Sequence, residues 1–392
     1  MTDAVLPQYN EKNPPLAHTS TAPLTSPGIS RRGNGSARAG LPAGWHARRR
    51  WGLAEPAPPL PWCHERDSPP TAPRLSGTAR GALTGGGATR TVKDVNDQDV
   101  VVPVAPQRVI TLSEPTTDNA IALGVTPVGV SAGRGQTTVA HYLREVAGDI
   151  PVIGTVGAPN LEAIGAARPD LILVDGTSVN NDPDTLAALA RIAPTVVTGE
   201  AGGDWTLNLR TCAQALNLAD KGEQLLTAYT GRTADVSGRL GQAGYLELTY
   251  SIVRWQGSTA GLILKELPAG RVLSDLGMKR PPHQDREGAG HSEPVSMENI
   301  DQVDADWMFF GTLGGSSVSN PDAGGNLGVQ ESAAALESAK QLPGFSALGC
   351  VSADHVVPVD GSLWTSTGGY QLMTGVVDDV ETHGAAGEDA RE

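Results

Sequence analysis

The side chains best suited to chemistry follow short β-branched runs: Ser113-Glu114, Arg134, Arg254-Trp255 and Trp364, with Tyr370 shortly after. Guanidinium groups offer fixed donors to an oxygen-rich ligand, and Trp and Tyr offer flat apolar faces, so the set points to binding. No reacting set competes with it. The sequence has no G-x-S-x-G elbow and no P-loop, and Ser113-Glu114-Pro115 lacks the glycines that let a pyrophosphate approach a backbone turn. An enzyme is therefore not expected, and no cofactor or resident metal is needed. His283, Asp285, Glu287, His291 and Glu293 share one polar loop and are chemically able to hold a divalent cation. The spacing of the two histidines fits neither helix nor strand, so a solvated loop is the expectation, and a metal carrier or enzyme built on His283/His291 the alternative.

Those residues need a scaffold, and the hydrophobic pattern supplies one. Arg108–Leu112, Pro127–Val130, Leu171–Val174 and Thr195–Thr198 read as strands, separated by helical stretches at Pro115–Leu123, Leu161–Ala167 and Pro183–Ile192. Strands alternating with helices of about ten residues imply a parallel sheet covered on both faces, with ligands bound beyond the carboxyl ends of the strands. Strand signals stop between Trp205 and Gly241, where two helical stretches follow one another, Asp220 being a candidate cap for the second. They resume at Tyr245–Trp255, Leu262–Leu267, Trp307–Leu313 and His355–Val359. Helices are expected at Ala269–Leu276, Val295–Val303, Glu331–Lys340 and Thr367–Glu381. The fold class is α/β: two Rossmann-like lobes with parallel sheets, 91–204 and 242–383, joined through helices at 205–241, with a frayed tail at 384–392.

Charge divides the chain of 392 residues, whose formal net charge is -14. Up to Arg90 there are 11 Lys/Arg and 5 Asp/Glu, and beyond it 18 and 38, so a basic segment precedes a strongly acidic body. The basic segment, 1–90, is rich in Pro, Gly and Arg and is expected to be disordered. The acidic body argues against nucleic acid as a partner, because displacing phosphate counterions needs a Lys/Arg surface. Cys63, Cys212 and Cys350 form no C-x-x-C pair and imply neither a disulfide framework nor a zinc site.

Four segments resemble one family. RVITLSEPTTDNAIALGVTPVGV (Arg108–Val130), NLEAIGAARPDLILVDG (Asn160–Gly176), VSMENIDQVDADWMFFG (Val295–Gly311) and PGFSALGCVSADHVVPVDGSLW (Pro343–Trp364) resemble the substrate-binding proteins of iron-siderophore ABC importers, most of all actinobacterial ferric-siderophore lipoproteins. The resemblance implies two lobes joined by one long helix (the class III periplasmic-binding-protein architecture), a shallow cleft, little lobe movement, and a monomer working outside the cytoplasm. It implies a ferric siderophore as cargo, of hydroxamate type, with cobalamin or haem as alternative ligands. It also implies two carboxylates that dock on arginines of the ABC permease, which fall on Glu162 and Glu298. The family's export signal is not recognisable here: Leu60-Pro61-Trp62-Cys63 lacks the small residues and preceding apolar run of a lipidation site. Residues before about Thr91 are accordingly expected to come from a misplaced start or shifted frame, a reading that tail peptides found in the mature protein would overturn.

Overall fold

A computed structural model describes residues 87–288, 292–313 and 327–389. The chain enters through a hairpin of β1 (Thr89–Lys93) and β2 (Asp99–Pro103), which the strand pattern did not announce. It begins inside the span assigned to the basic tail; residues 1–86, with Cys63, lie outside the described residues.

The first lobe is built on β3 (Val109–Thr111), β4 (Gly129–Val130), β5 (Leu171–Val174) and β6 (Thr195–Val197), parallel throughout and ordered β4-β3-β5-β6. The apolar runs work as expected for a sheet covered on both sides. Ile110, Ile172 and Val174 pack on one face with Ile164 and Leu189, while Val109, Leu171 and Leu173 pack on the other. Around this sheet lie α1 (Glu114–Ala122), α2 (Leu161–Ala166) and α3 (Pro183–Ala190). Two helices in succession, α4 (Trp205–Ala215) and α5 (Ala219–Gln242), lead to the second lobe. Asp220 sits in the first turn of α5, while Leu218 occupies the cap position.

The second lobe departs from the expected parallel sheet. Its strands are β7 (Tyr250–Gln256), β8 (Thr259–Leu262), β9 (Glu293–Val295), β10 (Trp307–Thr312) and β11 (Val356–Val359), ordered β9-β8-β7-β10-β11. Only β7, β10 and β11 are parallel; β8 doubles back on β7 in a tight hairpin and β9 pairs antiparallel to β8. Tyr245–Glu247 is a 3-10 turn, so β7 starts later than its apolar run suggests. Met297–Val303 is likewise 3-10, interrupted at Asn299, where an α-helix was expected. Helices α6 (Pro268–Asp275), α7 (Val329–Ala339) and α8 (Tyr370–Asp389) complete the lobe, α8 continuing past the point where fraying was expected.

One continuous core joins the lobes. Leu209 and Cys212 of α4, Leu226 and Val236 of α5 and Val376 and Val377 of α8 pack between the first sheet and Ile252 and Phe309 of the second. Each fully buried Leu or Val side chain in such a core stabilises the fold by about 1.5–3 kcal/mol. The start of α8 is also tied to the first lobe by polar groups. Asp118 of α1 accepts from the backbone N–H groups of Gly369 (2.9 Å), Gln371 (2.7 Å) and Leu372 (3.0 Å) and from the Tyr142 hydroxyl (2.9 Å). Asn119 accepts from the Tyr370 N–H at 3.1 Å. Together these two α1 side chains satisfy N–H groups that the first turn of α8 cannot pair internally.

Candidate functional site

Two arginines of the candidate set, Arg134 after β4 of the first lobe and Arg254 within β7 of the second, lie near enough for the charge of one to act on the other. Arg134 follows β4 in the turn Gly133-Arg134-Gly135-Gln136, which closes through Gln136 N–H to Gly133 O (2.9 Å) and needs Gly135 for its left-handed φ of 67°. Arg254 lies on β7, paired across the sheet with Gly261 and Gly311, neither of which has a side chain to crowd it. Both are buried, 6% and 5% exposed, and both keep a buried Nε without an acceptor. Burial pushes the Arg254 guanidinium down to about 10, the nearby Arg134 charge adds to that, and Glu114 opposes it. Among the described residues no carboxylate forms an ion pair with either arginine. Two guanidinium groups out of water, without paired acids and sensing each other's charge, offer donors suited to an anion.

Glu114 stands beside them, but its oxygens are engaged by the protein. Oε1 accepts from the Arg134 backbone N–H at 2.9 Å, and Oε2 accepts from Ser366 Oγ (2.9 Å) and Thr367 Oγ1 (3.1 Å). Where a ligand contact was expected, the structure shows a fixing role: Glu114 anchors the turn that carries Arg134 and ties it to the second lobe. Ser113 is engaged in the same way, since its hydroxyl caps α1, accepting from Thr116 N–H at 3.2 Å. His141 and Tyr142 add two more ties across the seam, to Asp360 (2.5 Å) and to Ser362 Oγ (3.1 Å).

The aromatic members of the set are core residues. Trp255 follows Arg254 directly, and successive strand side chains point to opposite faces, so the two cannot share a cleft. Its ring packs against Phe310 and Phe345 at centroid distances of 5.5 and 5.3 Å, and its Nε1 donates to Gly257 O. Trp364 has no exposed surface; it stacks on Phe309 at 4.1 Å and donates to Asp379 Oδ2 at 2.8 Å. Trp364→Phe is expected to destabilise the fold by about 1–3 kcal/mol through the part-buried Asp379 carboxylate it leaves unpaired, without weakening ligand capture; denaturant melts alongside a titration check both halves. Tyr370 starts α8, half-buried against the core, and its described polar contacts belong to the α1–α8 junction.

The loop considered for metal is organised otherwise. Asp285 pairs with Lys265 (3.2 Å), Glu293 pairs with Arg286 (2.6 Å), and His283 is exposed. His291 lies outside the described residues, among which no three His, Cys, Asp or Glu side chains converge to hold a metal ion. Two residues escaped the sequence reading altogether. Ser131 and Gln136 are buried on either side of Arg134, and Ser131 Oγ and both amide atoms of Gln136 lack partners. Short polar side chains in a loop carry no periodic signal, and only the Gly-Arg-Gly turn hinted at their place.

The family model described as periplasmic binding protein matches residues 109–344, more than half of the chain and spanning both lobes. The chain belongs to that family. Among its relatives is the probable siderophore-binding lipoprotein YfiY of Bacillus subtilis, 29% identical over 301 residues that cover 75% of this chain and 87% of that protein. The Fe(3+)-citrate-binding protein YfmC of the same organism is 26% identical over 229 residues, covering 57% and 70% of the two chains. The crystal structure of Staphylococcus aureus SirA complexed with staphyloferrin B superposes with a TM-score of 0.60 at 25% identity, covering 74% of this chain and 97% of that one. The two-lobed α/β architecture and the family resemblance read from the sequence are thereby borne out.

Proposed function

We propose that this periplasmic binding protein works outside the cytoplasm, captures an anionic ferric siderophore between its lobes and delivers it to an ABC permease. The observation that carries the reading is that Arg134 and Arg254 are both buried, each with an unpartnered Nε and without paired acids, and that the charge of Arg134 acts on Arg254. A siderophore-binding relative, a ferric-citrate-binding relative and the staphyloferrin B complex of SirA support the ligand class. The hydroxamate type expected from the sequence fits this site less well, because a ferric trihydroxamate centre is electrically neutral and offers nothing to offset two guanidinium charges. The iron arrives wrapped in its chelator, so the protein supplies donors to the chelator's oxygens and no ligands to the metal.

Intrinsic fluorescence quenching, titrated with ferric dicitrate, ferrioxamine, a ferric catecholate, cobalamin and haem, tests the reading. Binding of ferric dicitrate or another anionic chelate, with little response to ferrioxamine, cobalamin or haem, is the expected result. Preference for ferrioxamine would restore the hydroxamate assignment, and silence toward every iron chelate would overturn the function.

Glu162 and Glu298 suit docking on a permease. Glu162 is exposed in the first turn of α2, behind the Asn160 cap; Glu298 is exposed on the 3-10 turn after β9, and neither has a protein partner among the described residues. Exposed charges steer an encounter and fix its orientation without adding much affinity, which suits a carrier that must release its partner. The double variant Glu162→Ala/Glu298→Ala is expected to keep its ligand affinity within about twofold and lose most iron uptake in cells, because both side chains are exposed without protein partners among the described residues while the arginines are buried. Loss of ligand binding in that variant would refute the docking role.

A further inference from the structure

Eleven buried side-chain nitrogen or oxygen atoms lack a partner among the described residues, and four of them crowd into 131–136: Ser131 Oγ, Arg134 Nε, and Gln136 Oε1 and Nε2. Buried polar atoms are normally paired, and each left unpaired destabilises the fold. A concentration of them in one short turn marks a place completed by another molecule. Gln136 is 4% exposed, and its amide lies close against Gly133, where a Cβ would come within 2.6 Å of Nε2 and 2.7 Å of the Ala140 Cα. The nearby Ala140 backbone requires glycine at 133, where a side chain would also displace the Gln136 amide, and Gly135 holds the left-handed φ of the turn.

The chemistry of the open groups differs from that of the arginines. A guanidinium only donates, so Arg134 and Arg254 suit bare carboxylate oxygens. A carboxamide presents one acceptor and two donors in a plane, which matches a group that also donates and accepts, a secondary amide above all. We propose that Gln136, assisted by Ser131, is a specificity-determining residue that reads an amide link in the chelator, so that the preferred cargo is a ferric chelate whose carboxylate-bearing arms are joined through amides. This rests on the anionic-chelate reading of the same site and narrows it.

Two probes separate the contributions: ferric dicitrate, which has carboxylates and no amide, and the ferric complex of N,N′-dicitryl-1,4-diaminobutane, in which two citryl units are joined through two amides. The wild-type protein should bind the amide-linked chelate more tightly. Gln136→Leu should weaken that binding by about tenfold, the worth of one or two hydrogen bonds, and leave ferric dicitrate within about twofold. Its melting temperature should equal or exceed that of the wild type, because the change removes two buried unpaired atoms and keeps the volume. Equal affinity of the wild type for both chelates, or a Gln136→Leu variant with unchanged selectivity, would overturn the inference and leave the anionic-chelate reading standing; the amide would then hold only water. A marked fall in melting temperature would also overturn it, by assigning Gln136 to the fold. Failure of the wild type to bind either chelate would overturn both readings together.

Discussion

Replacing Arg134 and Arg254 together by glutamine is expected to abolish capture of an anionic ferric chelate while leaving the unliganded protein as stable as before or more so. The two effects share a cause. Each guanidinium is almost wholly buried with its Nε unpaired, and burial together with the neighbouring charge makes Arg254 easier to deprotonate, down to about 10. That shift records a cost of holding the Arg254 charge buried beside Arg134 in the free protein, which Glu114 offsets in part. An anionic ligand removes the cost by supplying the missing countercharge. Truncating one member of a buried charge pair typically weakens binding by about 2–5 kcal/mol, so losing both arginines should reduce affinity at least roughly a thousandfold. A fluorescence titration with ferric dicitrate and a thermal melt of the same samples measure the two halves. Undiminished binding in the double variant, or a melting temperature lowered by several degrees with binding intact, would show that these arginines serve the fold.

How far the sequence foretold this site depended on the range of each signal. Arg134 was legible because it closes a βα turn, and Arg254 because it sits within a long β-branched run; a local pattern places both at the carboxyl end of a sheet. The same pattern misassigned their aromatic neighbours. Trp255 follows Arg254 by one position, and strict alternation puts its ring against Phe310 and Phe345, so the register of β7 decided the matter. Glu114 was read as a ligand contact from its local position alone, whereas its Oε2 accepts from Ser366 and Thr367, about 250 residues away in the chain and beyond any local pattern. The parallel first lobe could be read from runs such as Leu171–Val174. The antiparallel β8–β9 edge could not, since an apolar run gives burial without direction.

Asp118 is the clearest case of a residue invisible to local reading, and its removal should have the largest effect on stability among the polar substitutions considered. The carboxylate is buried in α1 and accepts four hydrogen bonds, two of them from the first turn of α8 and one from Gly369 just before it. Asp118→Ala would leave these donors unpaired away from water and uncap the helix that connects the second lobe to α1. The expected loss is roughly 3 to 5 kcal/mol, with Asp118→Asn intermediate because its carbonyl still accepts. The pH dependence is specific. Burial pushes the Asp118 carboxyl up to about 6 despite its four donors, above its ordinary value of 3.8. A carboxyl that binds its proton more tightly in the folded than in the unfolded chain contributes stability that is complete below about 4 and fades as pH rises through about 6. The stability difference between wild type and Asp118→Asn, whose amide does not titrate, should therefore grow by about 1 kcal/mol between pH 7 and pH 5. Urea melts of both proteins at the two pH values decide it. A difference that shrinks on acidification would mean that the four donors outweigh burial and hold Asp118 ionised across the range.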